Sequence, residues 1–185
     1  MLNLRPDVRQ AGMTLAELMT GVGIVAILAA VAMPSFTGFL RNTEVRGSSE
    51  ALLQGLQFAR TEAIRQNRRI CFDWSGVGTG WTVSTDCLAA PGAVPVAQII
   101  QSQPDREGSV ASTVTTTPAS SMRVAFNGFG RVVPNTLGGS TITQIDITSV
   151  GASLVRRILI SAGDSGGRIF VCDPSAATGT QMSCG

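Results

Sequence analysis

The chain has no histidine, no tyrosine and no lysine; all of its basic side chains are arginines. Lacking histidine, it has neither the usual general base at neutral pH nor the commonest metal ligand. Charge is scarce too. Asp, Glu and Arg make up 14% of the 185 residues and aromatics 5%, against 44% hydrophobic, so part of the chain is expected to lie outside water. A net charge of +2 is too small to imply nucleic-acid binding by itself. No P-loop or dinucleotide fingerprint is present. Gly76, Gly78 and Gly80 alternate, but no helix start with a following lysine is there to receive a phosphate. Asp164-Ser165-Gly166-Gly167 reads as a turn between the last two strands. No catalytic site, cofactor or metal centre is expected, and the chain does not read as an enzyme.

What is present begins with four cysteines, Cys71, Cys87, Cys172 and Cys184. An even number fits disulfides formed in an oxidising compartment, and no CxxC spacing points to zinc or thioredoxin-like chemistry. Three pairings are open. Joining sequence neighbours, Cys71–Cys87 and Cys172–Cys184, is the expectation.

The N-terminal segment is the most informative. Residues 1–12 are polar, with Arg5 and Arg9 against Asp7, and residues 18–40 form a run of 23 without a charge. About 20 apolar residues in a helix cross a bilayer core, so this run is long enough. The basic side precedes it, which keeps the N-terminus cytoplasmic. An ordinary signal peptide has a shorter apolar core, although Ala29-Ala30-Val31-Ala32 imitates its cleavage site. Glu17 at the start of the run argues against that reading. A carboxylate in lipid costs roughly 2.5–3.5 kcal/mol near the bilayer centre and less at the interface, so it needs a partner or a task.

Gly12-Met13-Thr14-Leu15-Ala16-Glu17 resembles the prepilin processing site of type IV pilins and type II secretion pseudopilins. The resemblance implies cleavage by a prepilin peptidase after Gly12 and methylation of Met13 as the new N-terminus. Glu17 takes the place of the family's glutamate, which meets a neighbouring subunit's amine during filament assembly. Met13 stands where Phe is usual, and Ala16 where a bulkier aliphatic residue is. Pro34 falls where the family often has a proline, and implies either a kink or a stretch that unwinds on assembly.

Beyond the membrane run, Val45, Ser49, Leu52, Leu56, Ala59 and Ala63 recur at intervals of three and four and trace one helix face. Arg41, Arg46, Glu50, Arg60, Glu62 and Arg65 are assigned to the solvated side, and Arg68 and Arg69 to the helix end. Residues 56–69 are similar to the GspH/FimT/FimU group of minor pilins and pseudopilins, as are residues 126–132 and 167–174. After residue 69, seven to eight short strands are expected: 70–74 and 81–85 around a Gly-rich turn, then 94–101, 122–126, 130–133, 140–148, 153–161 and 167–172. Asn127-Gly128 is a hairpin signal. Residues 102–121, rich in Ser and Thr with Pro104 and Pro118, read as a polar loop. The expected fold is α+β: a long membrane-spanning N-terminal helix packed on a small antiparallel β-sheet head. The divisions are a cleaved leader 1–12, a transmembrane and filament-core helix 13–40, its amphipathic continuation 41–69 and a periplasmic head 70–185.

The resemblance implies a structural subunit in the bacterial inner membrane. Its partners are other major and minor pilins or pseudopilins, with the prepilin peptidase acting on it. The favoured role is a minor pilin that helps initiate or cap a type IV pilus. A type II secretion pseudopilin is an alternative. Another is a DNA-binding pilin using a small basic patch of Arg156, Arg157 and Arg168. The Gly-Arg-x-Arg motif of such proteins lacks its second arginine here, where Gly167-Arg168-Ile169-Phe170 stands.

Overall fold

The computed structural model describes residues 12–105, 112–136, 138–161 and 167–184. Residues 1–11 of the expected leader, and 164–166 of the expected Asp164 turn, lie outside these. Among the described residues, one α-helix, α1 (Leu15–Gln66), precedes nine strands. The chain divides into two compact units, Met1–Thr37 and Gly38–Gly185.

In the first unit α1 starts at a capping residue. Thr14 Oγ1 accepts the Glu17 backbone N–H at 3.2 Å, one of the donors that the first helical turn leaves unpaired. Every described large apolar side chain between Leu18 and Leu40 is about half exposed or more, from 49% at Leu40 to 73% at Val31. Among the described residues, no large apolar side chain of this half is buried. Among the described residues, α1 is the one helix long and apolar enough to cross a membrane.

In the second unit α1 becomes one-sided. Val45, Leu52, Leu56, Ala59 and Ala63 are fully buried and Ser49 nearly so. Burying each larger apolar side chain contributes about 1.5–3 kcal/mol. The helix ends at Asn67, which takes a left-handed φ of 47°. The Arg68 N–H donates to the Ala63 carbonyl and the Asn67 N–H to the Ile64 carbonyl, the paired bonds of a Schellman cap. One charge departs from expectation. Glu62 is not on the solvated side but buried, because Arg65 and Gln66 from the next turn satisfy its carboxylate.

The strands form two antiparallel sheets. In the first, β3 (Ile99–Gln103), β2 (Trp81–Ser84), β1 (Ile70–Trp74), β5 (Arg123–Phe126) and β6 (Val132–Val133) lie in that order. In the second the order is β4 (Ser112–Thr117), β7 (Gln144–Ser149), β8 (Arg156–Ile160) and β9 (Ile169–Cys172). The second half of α1 shares one core with both sheets. Trp81 lies against Gly55 and donates its indole N–H to the Ala51 carbonyl at 3.1 Å. On the other side, Asn42 Oδ1 accepts the N–H groups of Ser153 and Leu154, each at 3.0 Å, and Ser48 bonds to Ser112 at 3.1 Å.

Three local expectations change. The expected strand 94–101 opens as a single 3-10 turn, Val96–Gln98, before β3. Pro95 sets the helical-type φ of −58° and its carbonyl accepts the Gln98 N–H. The expected loop 102–121 contains β4, a six-residue edge strand paired along its length with β7. Its threonines are β-branched and suit a strand, and Ser112 and Val114 face the core. The Asn127-Gly128 hairpin is a longer loop. Asn127 Oδ1 accepts the Phe129 and Arg131 N–H groups, and the positive φ falls on Gly130, at 70°.

Candidate functional site

The residues expected to act in processing and assembly lie together at the start of α1. Gly12, Met13 and Glu17 are exposed, and Glu17 is in the first helical turn. Thr14, which the sequence reading left without a role, fixes this turn. The Thr-x-x-Glu spacing of a capping box was the available signal. Pro34 falls inside α1.

In the head, Cys71 and Cys87 form one disulfide and Cys172 and Cys184 another, with Cα–Cα separations of 5.6 and 5.1 Å. The first ties β1 to the segment after β2. The second closes the C-terminal loop onto the end of β9, where the Asp173 N–H also donates to the Met182 carbonyl at 2.6 Å. Asp173 is held below the usual carboxylate range, chiefly by hydrogen bonds from the Ser175 side chain and backbone.

A buried ion pair that sequence reasoning missed sits beside the first disulfide. The β1–β5 register places Asp73 opposite Arg123. Arg123 Nε and Nη2 reach the two carboxylate oxygens at 2.5 and 2.8 Å, and Nη1 donates to the Cys87 carbonyl at 3.0 Å. Burial pushes the Asp73 carboxyl upward against the pull of Arg123. Arg123 thereby joins the Cys87 carbonyl, beyond β2, to the sheet. No sequence signal relates these residues, which are 50 positions apart.

The three arginines of the expected basic patch are not equivalent. Arg156 and Arg157 are neighbours on β8 and point to opposite faces. Arg157 Nε bonds to Asp146 at 2.6 Å on the paired strand, and Arg156 lies 4.0 Å from Asp173. Arg168 is exposed and stands over the Phe170 ring at 5.6 Å. Among the described residues, no group of His, Cys, Asp or Glu could hold a metal ion. Among the described residues, one head pocket of about 290 Å³ lies beside Met122 and Arg123, and another of about 580 Å³ lies beside Arg68, Arg69 and Thr136.

A helix with an exposed apolar first half, and a second half packed on antiparallel sheets, is the architecture of pilin-like proteins. The chain belongs to the GspH family: the model described as type II transport protein GspH matches residues 48–167. The fold is also that of the type IV minor pilin FimU of Pseudomonas aeruginosa, known in two crystal forms. Identity is 23% in both. One alignment covers 73% of this chain and 98% of FimU with a TM-score of 0.52. The other covers 77% and 98% with a TM-score of 0.56. No curated protein matches the sequence. The matched family is described as a transport protein and the solved neighbour as a minor pilin, and neither description is of an enzyme.

Proposed function

We propose that this protein is a minor pilin of a type IV pilus, helping to initiate or cap the filament. The observation that carries the reading is the uncovered first half of α1, which holds Glu17 in its first turn and exposes its described large apolar side chains. In the inner membrane lipid covers it; in the filament the helices of sister subunits do, with the head in the periplasm. Residues 1–12 form the leader, 13–40 the filament-core helix, 41–69 its continuation and 70–185 the head. The prepilin peptidase cuts between Gly12 and Met13, and Met13 is methylated.

Cleavage leaves a positive amine next to the positive end of the helix dipole. Glu17 neutralises such an amine on a neighbouring subunit, and an unpaired charge in an apolar core is penalised, so the pair sets register. Pro34 lowers the cost of unwinding during assembly, since its ring nitrogen has no N–H to lose. Replacing Glu17 by Leu is expected to leave membrane insertion intact and to reduce the amount of this subunit in sheared filaments severely. Normal incorporation would contradict the register argument.

The family description supports a second reading, a subunit of a type II secretion pseudopilus. Deleting the gene separates the two: loss of surface pili fits the first, loss of exported proteins the second. DNA as a partner is disfavoured, because Arg156 and Arg157 already have carboxylates beside them.

A further inference from the structure

The last turns of α1 and the head share a surface that the packing of the core does not account for. Three backbone segments meet there on two glycines. A side chain at Gly130 would place its Cβ 2.7 Å from Ile64 Cδ1 and 3.2 Å from Arg60 Nε, so the β5–β6 loop lies directly on the last turns of α1. A side chain at Gly167 would come within 2.9 Å of the Gly130 carbonyl and 3.4 Å of Arg131 Cα, so the segment entering β9 lies against the same loop. Both glycines have left-handed φ, of 70° and 69°. The close approach is thus fixed by backbone that other residues adopt only with strain.

This junction projects apolar and cationic groups into solvent. Phe129 is 81% exposed at the loop tip and Ile64, beneath the loop, 51%. Arg131 and Arg168 flank them, both exposed, and among the described residues neither has a carboxylate in an ion pair. An exposed aromatic fixed on a rigid turn and bordered by arginines has the composition of an interface centre. Phe129 has no packing task in the head, and the loop bonds made by the Asn127 side chain do not depend on it.

We infer that the Ile64–Phe129 surface, edged by Arg131 and Arg168, docks a neighbouring pilin-family subunit that presents an apolar pocket bordered by carboxylates. Charge complementarity sets the sign of the partner, and membership of a family of assembling subunits supplies its class. The inference rests on the filament-subunit reading and deepens it, because it assigns a contact of its own to the junction of the last turns of α1 with the head, apart from the uncovered first half of the helix.

The test is a photo-crosslinking amino acid at position 129 in the full-length protein, in its native host, with position 150 as control. Val150 is equally exposed, at 85%, on the turn between β7 and β8. The expected result is an adduct from position 129, identified by mass spectrometry as another pilin-family subunit, and none from 150. Arg131→Glu with Arg168→Glu should lower the adduct yield by about tenfold, and reversing acidic residues at the crosslinked site of the partner should restore it. Three outcomes overturn the inference: equal adducts from both positions, adducts only to lipid or nucleic acid, or none while the protein is present in filaments. Absence of the wild-type chain from filaments and pseudopili alike would overturn the filament reading as well.

Discussion

Up to Thr37, α1 leaves all its described large apolar side chains in contact with solvent; from Val45 to Ala63 the same helix buries one stripe completely and exposes the rest. The difference lies in pattern and not in length. The first half is apolar all round, so no single sheet could cover it, and such a helix belongs in lipid or among other helices. The second half repeats its apolar residues at three and four and interrupts them with Arg41, Arg46, Glu50 and Arg60, so one face suffices. One continuous helix thus buries one half against the head's own sheets and exposes the described large apolar side chains of the other.

That contrast can be broken by mutation. The largest effect is expected from Leu56→Ala, which empties a fully buried position and should destabilise the head by about 2–5 kcal/mol. Leu28→Ala, in the uncovered half, should leave thermal unfolding of the head within about 0.5 kcal/mol of wild type. Melting the full-length protein in detergent measures both, and equal losses would refute the division. A middle-sized effect is expected at the glycines. Gly55→Ala would place a Cβ 2.7 Å from the Trp81 ring and 2.8 Å from Phe72, and should cost about 1–3 kcal/mol by overpacking. Gly21 has nothing within 4 Å, so Gly21→Ala should leave head stability unchanged and increase helix propensity locally.

The smallest effect concerns pH. Hydrogen bonds from Arg65, and then from Gln66, hold the Glu62 carboxyl below its ordinary range. A depressed folded-state value means that its contribution is complete above the ordinary glutamate range and is lost as pH falls through the folded value. Glu62→Gln should therefore flatten the acid limb of the stability curve slightly, and an unchanged limb would remove Glu62 from the account.

Much of this was legible in the sequence, for identifiable reasons. The stripe from Val45 to Ala63 and the uncharged run 18–40 are periodic or continuous signals, and both halves of the helix follow from them. The glycine and glutamate of the N-terminal motif stand at a fixed spacing that needs no tertiary contact to be seen. What was missed depends on contacts between distant residues. Asp73 and Arg123 become a pair only through the β1–β5 register, and Gly55 matters only because Trp81 lies over it. β4 resembles a loop in sequence because it lies in a Ser- and Thr-rich stretch with Pro104 and Pro118, although the branching of its threonines suits an edge strand. The burial of Glu62 is not visible in sequence, because helical periodicity says nothing of the local partners that let a carboxylate be buried.

The central claim is that Gly12 ends a leader and Met13 begins the mature filament subunit, with Glu17 poised in its first turn. It is tested most directly by the mass of the N-terminal peptide of the membrane-extracted protein from its native host. A peptide that begins at Met13 and carries one additional methyl group is the predicted result. A peptide that begins after Ala30 or Ala32 would contradict it: the first half of α1 would then be a discarded export signal, and the role given to Glu17 would be lost with it.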